Sequence, residues 1–249
     1  METLAGKNNP AARLPLTWYR SAEDLPDIMT YDIESAGSTY MYFRGTPLYP
    51  FGHGLSYSEF EYSGIESKRT DSGVCVSLNV KNISQRDGDE VVQIYFSVNN
   101  SAVSRPIKKL CGFERVHINA GEEKQVTVEI PEHILQIYDV RTGNFITETG
   151  EYTFSACRSS AEVSLESRLE ITADALSDRP VLFGAETFDS ASAVRIRWSK
   201  ALGRHFISAT GWSGCAVYGG MKLDSKKKLS FKAQSVHKNT VLTLKAGEN

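Results

Sequence analysis

The central part of the chain alternates apolar and polar residues with a period of two. Four runs between residues 60 and 172 show this alternation: Val74–Val80, Val92–Val98, Val126–Ile130 and Tyr152–Ala156. Successive side chains of a β-strand point to opposite faces, so the alternation predicts strands with one face in a core and the other in water. Turn sequences rather than helical stretches separate the runs. The pattern therefore predicts an all-β fold built around an antiparallel β-sandwich.

The predicted turns also account for the most conspicuous acidic cluster of the chain. Asp87, Asp89 and Glu90 surround Gly88, and such a cluster could hold a metal or perform acid–base chemistry. Asp-Gly is also a typical hairpin turn, in which the carboxylate satisfies backbone donors. We interpret the cluster as a hairpin turn. The one competing helical stretch is about a turn long, at Pro131–Leu135.

The two ends of the chain differ from this central region. Residues 1–57 are rich in Gly, Pro, Tyr and Asn and show no sustained period, which predicts an arm of loops and short strands wrapped on something larger. Residues 58–172 form the predicted sandwich, and the polar residues 173–180 form a linker. Short β-like runs then resume within 181–249 and predict a second, truncated β domain; the runs are Val194–Trp198, His205–Ser208, Leu229–Ala233 and Thr240–Leu244.

Composition limits the classes of partner. The chain has 249 residues and a formal net charge of −2, with a sequence pI of about 6.2. This balance argues against nucleic acid, which is bound by clustered Lys and Arg. No apolar run approaches the roughly 20 residues that cross a bilayer, so no membrane span is predicted. No signal peptide precedes the fold, which favours the cytoplasm unless Met1 is an internal start of a longer product.

No motif for a cofactor, a metal or a nucleophile is convincing. Phosphate-binding glycine loops are absent from the sequence, and the segment Gly211–Cys215 lacks the final glycine of a nucleophile elbow. The four cysteines are too widely spaced for zinc, and we expect them to be buried thiols in strands rather than disulfides. The sequence predicts neither cofactor nor metal.

Several motifs, in their order along the chain, carry a family resemblance. They are Arg13–Trp18, Pro47–Tyr57, Glu90–Tyr95, Ser104–Leu110, Gly112–Val116 and Gly150–Thr153. This series resembles the C-terminal part of glycoside hydrolase family 3 enzymes, which include β-glucosidases and β-xylosidases. The resemblance implies that residues 1–57 end an α/β domain and form a connecting arm, and that 58–172 form a fibronectin type III-like domain. The family hydrolyses O-glycosyl bonds with an Asp and a Glu, but no position here matches either motif, so no catalytic residue is assigned.

The last domain resembles the middle of a family 6 carbohydrate-binding module. The match covers Trp212 to Leu244, although Cys215 stands where that family usually has a Trp. Aromatic faces pack against sugar rings, so Trp212 and Tyr218 are the candidate carbohydrate-binding residues. Packing of both side chains in the core of a small sandwich is the alternative.

These observations leave three hypotheses. In the first, the chain is a non-catalytic C-terminal region of a family 3 β-glycosidase that buttresses the catalytic domains and binds polysaccharide, xylan or glucan, through its tail. The second is a free-standing carbohydrate-binding protein. The third is an immunoglobulin-like interaction module with no ligand, whose arm promotes self-association.

Overall fold

Two antiparallel sheets lie face to face in the central part of the chain. The computed structural model describes residues 1–173, 188, 190–200, 204–210, 213–218 and 243. The first sheet contains three strands in the order β1-β2-β5, which are β1 (Phe60–Thr70), β2 (Gly73–Asn82) and β5 (Glu123–Pro131). The second has the order β4-β3-β8-β9, with β3 (Gly88–Asn99), β4 (Lys109–Ile118), β8 (Gly150–Cys157) and β9 (Val163–Ile171). The all-β prediction is confirmed.

Short elements connect these strands. A hairpin of β6 (Ile137–Asp139) and β7 (Asn144–Ile146) follows the helical turn α2 (Glu132–Leu135), which lies where the sequence predicts it. The arm, residues 1–57, holds a 3₁₀ turn at Ala22–Asp24 and the short helix α1 (Thr39–Tyr42). In the described part of the chain, no helix has the length and apolar character needed to cross a membrane.

The core lies between the two sheets and follows the predicted alternation. From β2, the side chains Val74, Val76, Leu78 and Val80 are buried, and Val92, Ile94 and Phe154 meet them from the second sheet. Burying side chains of this size contributes roughly 1.5–3 kcal/mol each relative to leaving them in water. Tyr152 is buried as well, and its hydroxyl donates to the carbonyl of Glu148 at 2.9 Å, so its polar atom is satisfied.

The predicted division into a core face and a water face is wrong for the middle of the second sheet. Gln93 and Tyr95 lie on the face of β3 away from the core, yet they are 3% and 0% exposed, and Ser155 of β8 is also buried. The arm covers this face, a contact between segments far apart in sequence that local alternation does not reveal. The prediction of a hairpin at Asp87-Gly88 is also wrong. The strands before and after this segment, β2 and β3, belong to different sheets, and the segment crosses from one sheet to the other.

The C-terminal part forms two short antiparallel ribbons among the described residues. β11 (Val194–Ser199) pairs with β12 (Arg204–Ala209), which confirms the runs predicted there, and β10 (Ser190–Ser192) pairs with β13 (Cys215–Val217). Residues 174–180 of the predicted linker, the run 229–233 and most of 240–244 lie outside the described residues. All four cysteines are free and lie in strands. Cys111 and Cys157 are buried, but Cys215 is exposed because β13 pairs only with the short β10 in the described part, which corrects its predicted burial.

Candidate docking surface

The arm packs on the outer face of β3, where it contacts side chains of the predicted water face. The amide of Gln93 donates to the carbonyl of Gly52 at 3.0 Å, and the hydroxyl of Tyr95 donates to Oε1 of Gln93 at 2.8 Å. From the arm, Tyr40 stacks on Phe51 and meets the ring of Tyr95 edge-on. Burial raises the pKa of Tyr95, so its hydroxyl stays a donor. These contacts join the arm to the sandwich.

A buried ion pair makes the second link. Nη2 of Arg13, in the arm, lies 2.9 Å from Oε2 of Glu90 on β3, and the hydroxyl of Tyr62 donates to Oε1 of the same carboxylate at 2.6 Å. Burial, then the charge of Glu90, raises the pKa of Tyr62 far above its ordinary value. A buried charge that loses its partner is costly, so this pair makes seating of the arm specific.

Two glycines of the arm permit this close approach. Gly52 has a φ of +80°, and a Cβ there would lie 2.0 Å from Oε1 of Gln93. A Cβ on Gly54 would lie 2.2 Å from the carbonyl of Ala12 and 2.5 Å from Nη1 of Arg13. Any larger residue at either position would push the arm away from its polar contacts. The segment Pro47–Tyr57 therefore carries Gly52 where its backbone meets the sandwich, and Gly54 where it meets residues 12 and 13 of the arm itself.

Hydrogen bonds attach the first residues of the arm to the segment just before β1. The side-chain amide of Asn9 donates to the hydroxyl of Ser58 at 3.0 Å, and that hydroxyl donates to the carbonyl of Arg86. The guanidinium of Arg86 lies 5.5 Å from the centroid of the Tyr57 ring. Farther along, Trp18 and Tyr49 form an isolated antiparallel bridge that folds the arm on itself.

Many large apolar side chains of the arm are exposed to water in the described structure. Trp18 is 53% exposed and Ile28 91% exposed, although both are large and apolar. We call the following set the outer apolar face: Leu16, Trp18, Leu25, Ile28, Met29, Tyr31, Leu48, Tyr49, Leu55 and Tyr57. Exposed apolar residues concentrated in one segment are typical of an interaction surface. The arm thus combines residues that bind the sandwich with exposed apolar residues that are suited to contact another body.

The buried carboxylates of the described residues do not form a catalytic pair. Glu90 is paired with Arg13, Glu148 with Arg105 at 3.0 Å, and Asp139 with Arg141 at 3.5 Å. Glu148 also accepts from the hydroxyl of Ser101 and the amide of Ala102, which orders the loop between β3 and β4. Each of these carboxylates is held by structural donors. None of them is available to protonate a leaving group or attack a sugar.

The three carboxylates of the acidic cluster at 87–90 make separate contacts, that of Glu90 being its pair with Arg13. Asp87 accepts from the backbone amide of Ala120, whereas Asp89 faces Arg115 and His117, with Oδ1 lying 2.6 Å from Nδ1 of His117. The hydrogen bond with His117, helped by Arg115, holds the pKa of Asp89 below its ordinary value. Among the described residues, no group of three or more His, Cys, Asp or Glu side chains could hold a metal ion.

A shallow cleft lies beside the arm but presents no free charged group. It measures about 250 Å³ and is lined by Met41, Phe96, Arg105, Lys109 and Gln136, among others. Arg105 is engaged by Glu148 and donates to the carbonyl of Leu135, and Lys109 donates to the carbonyl of Ile134. The cleft therefore offers an apolar floor without the opposed carboxylates that glycoside hydrolysis usually requires.

The predicted carbohydrate-binding residues are only partly described. Tyr218 directly follows β13 and is half-buried, whereas Trp212 lies outside the described residues. The structure therefore does not bring the two together or separate them. The docking residues Gln93 and Tyr95 were missed by the sequence analysis. Their pattern within β3 is that of an ordinary water face, so the local sequence carried no signal of their burial by the arm.

Comparison with known proteins gives matches over the arm and the sandwich. Residues 1–57 match the glycosyl hydrolase family 3 C-terminal domain, and residues 90–160 match a fibronectin type III-like domain. The chain is 34% identical over 185 residues to thermostable beta-glucosidase B of Acetivibrio thermocellus, covering 68% of this chain and 24% of that protein. It is 33% identical over 173 residues to xylan 1,4-beta-xylosidase of Xylanibacter ruminicola, covering 69% and 20%.

Solved structures give the same correspondence. DesR, a beta-glucosidase from Streptomyces venezuelae in complex with D-glucose, superposes with a TM-score of 0.64 and 32% identity, covering 69% of this chain and 24% of that one. The beta-glucosidase of Kluyveromyces marxianus gives a TM-score of 0.63 and 33% identity, with 69% and 22% covered. The chain thus spans about a quarter of the length of these relatives and matches the C-terminal domain of the hydrolase family together with a fibronectin type III-like domain.

Proposed function

We propose that this chain is a C-terminal accessory region of a β-glycosidase and that its arm seats the catalytic domains against the sandwich. The relatives are named β-glucosidases and β-xylosidases, and the chain matches about a quarter of their length. The partner is the remainder of such an enzyme, in the same polypeptide or in a separate one. We propose that the chain by itself performs no hydrolysis; the pairing of Glu90, Asp139 and Glu148, the buried carboxylates among the described residues, with arginines supports this.

The outer apolar face is the observation that carries this proposal. The arm is fixed on one side by the Arg13–Glu90 pair and by Gln93, so it is a defined structure and not a loose tail. It also exposes Trp18, Ile28 and Met29 to water. Covering such side chains with a second domain removes apolar area from water and stabilises both parts.

A chimera with a relative tests the proposal. In the Acetivibrio enzyme, the region matched by this chain is replaced by residues 1–173 of this chain. The chimera is then incubated at a raised temperature, and the half-life of its activity on an aryl β-glucoside is measured. We expect a soluble, active chimera whose half-life exceeds that of the enzyme lacking the region. The double change Ile28→Ser and Met29→Ser should shorten this half-life, because two exposed apolar contacts with the catalytic domains are lost.

A matched control separates docking from general surface effects. Phe113 on β4 is 64% exposed but lies outside the arm, so Phe113→Ser should leave the half-life unchanged. An equal loss from Phe113→Ser, or a chimera no more durable than the shortened enzyme, would contradict the proposal. Strong self-association of the isolated chain in light scattering, without docking in the chimera, would favour the interaction-module alternative.

Polysaccharide binding by the C-terminal part is the second element of the proposed function. It rests on the resemblance of residues 212–244 to a carbohydrate-binding module and on Trp212 and Tyr218. The expected result is saturable binding of xylan or glucan that is lost in Trp212→Ala and in Tyr218→Ala. Turnover of aryl β-glucosides or β-xylosides by the isolated chain above a heat-treated control would contradict the non-catalytic role.

A further inference from the structure

The near-neutral charge of the chain conceals two oppositely charged parts. Residues 1–173 contain 16 Lys and Arg against 24 Asp and Glu, a net charge of −8. Residues 181–249 contain 11 Lys and Arg against 4 Asp and Glu, a net charge of +7. A charge asymmetry of this kind within one chain indicates an acidic partner for the basic part.

The described ribbon of the basic part combines cations with an exposed aromatic ring. In the register of β11 with β12, Trp198 is paired with His205 and Ile196 with Ile207, so these four share one face. Arg195 and Arg197 alternate with them and are exposed. Lys200 follows two residues after Trp198 and is also exposed. Arg195 and Arg197 therefore lie on the face opposite Trp198, and Lys200 follows Trp198 with the same alternation.

Trp198 is accessible as a stacking surface. Its ring meets His205 edge-on, with centroids 4.9 Å apart and an interplanar angle of 67°, and 60% of the residue remains exposed. Most of the indole therefore remains accessible to solvent beside His205, and an exposed indole suits the apolar face of a pyranose ring.

The geometry points to the β11–β12 ribbon as a binding site for an acidic polysaccharide, whose pyranose rings stack on Trp198 and whose carboxylates pair with Lys200, while Arg195 and Arg197 on the opposite face add longer-range attraction. This inference rests on the proposed function, because the accessory region of a glycosidase meets glycans rather than other polyanions. It assigns the site to residues different from Trp212 and Tyr218. The positive net charge of residues 181–249 also indicates the class of ligand, which is a polysaccharide that carries uronate groups.

The test uses the full 249-residue chain and two forms of one polymer. Glucuronoxylan and the same xylan after carboxyl reduction are compared by isothermal titration at about 50 mM and about 300 mM NaCl. We expect at least about tenfold tighter binding of the acidic form at low salt, with the difference shrinking at high salt. Lys200→Ser should remove most of the preference for the acidic form and leave weak binding of the neutral one, whereas Arg197→Ser, on the opposite face, should reduce the preference less.

The aromatic contact is tested separately. In a chain that carries Trp212→Ala and Tyr218→Ala, which remove the other candidate aromatic residues, Trp198→Ala should weaken binding of both polymers by at least about tenfold, and Trp198→Phe should restore most of it, which excludes a folding defect. Tyr138→Ala changes a comparably exposed aromatic residue on the β6–β7 hairpin and should have no effect. Equal affinity for the two polymers, full binding in Trp198→Ala, or tighter binding of a single-stranded oligonucleotide would overturn the inference.

The two proposals can fail independently. Binding of glucuronoxylan together with a chimera that gains no durability would contradict the docking role alone and favour a free-standing carbohydrate-binding protein. A durable chimera together with no preference for the acidic polymer would contradict the ribbon site alone.

Discussion

The arm and the sandwich are built on different physical principles. The sandwich buries apolar side chains from both of its sheets, including Val76, Ile94 and Phe154, and completes its own core. The arm has no such core and is held by a buried ion pair, by amide hydrogen bonds and by glycines that permit close approach. Tyr40 and Phe51 add aromatic contacts with Tyr95, but many other large apolar residues of the arm are exposed to water. The difference shows that the sandwich supports itself, whereas the arm is an adaptor between two surfaces.

The largest expected effect tests the self-sufficiency of the sandwich. Phe154→Ala removes a ring that is fully buried between the sheets, and we expect a loss of about 3–5 kcal/mol in the free energy of unfolding. Denaturant unfolding followed by fluorescence and circular dichroism measures it. Phe145→Ala, at a residue 66% exposed, is the control and should stay within about 0.5 kcal/mol of the parent chain. Similar losses from both would contradict the assignment of the core.

The second test removes the buried link between the two regions. Arg13→Ala leaves the carboxylate of Glu90 without its cation, and we expect a cost of about 2–4 kcal/mol, limited because the arm can detach and let water reach the charge. Chymotrypsin should then cleave the arm much faster, near Tyr31, while the sandwich still unfolds cooperatively. Arg168→Ala alters an exposed pair with Glu151 and should change neither measurement. An unaltered arm in Arg13→Ala would show that this pair does not seat it.

A third test separates the effect of the close contact between residue 52 and Gln93 from the effect of backbone strain at a positive φ. Gly52 and Gly121 both have positive φ, +80° and +73°, but only the Cβ of residue 52 would strike a neighbour. Gly121→Ala should therefore cost about 1 kcal/mol from strain alone, and Gly52→Ala should cost more and loosen the arm. Hydrogen exchange of the amides of residues 49–54 reports the loosening. Equal effects of the two changes would mean that the contact with Gln93 is unimportant.

The smallest expected effect concerns pH. The pKa of Asp89 is held below its ordinary value of 3.8 by His117 and Arg115 in the folded chain. The stabilisation is therefore present above the unfolded pKa and is lost as the pH falls through the lower folded pKa, that is, below about pH 4. Because Asp89 is partly exposed, the effect should be below about 1 kcal/mol. Asp89→Asn should reduce the decrease in the free energy of unfolding below about pH 4. An unchanged decrease would contradict the stabilising role of the Asp89 contacts with His117 and Arg115.

The strands of the sandwich were predictable because their signal is local. The alternation in β2 and β5 identifies both the strands and their buried faces, and the structure agrees residue by residue. The docking residues were not predictable in the same way. Gln93 and Tyr95 are buried by a segment that precedes them by about 40 residues, and no periodicity within β3 records its presence. The same limit explains the Asp87-Gly88 error, since a turn sequence does not state which sheet the next strand joins.

The amino-acid sequence by itself determined the all-β character, the strand faces that form the core and the resemblance to a hydrolase region, because these depend on residue order over short distances. Only the tertiary structure decided that the arm binds the sandwich through some residues and exposes large apolar side chains at others. It also decided that the buried carboxylates of the described residues each pair with an arginine and that Trp198 is exposed beside His205. Those features depend on which distant segments come to lie together. Burial and ion pairing are properties of the packed molecule, and no single stretch of sequence carries them.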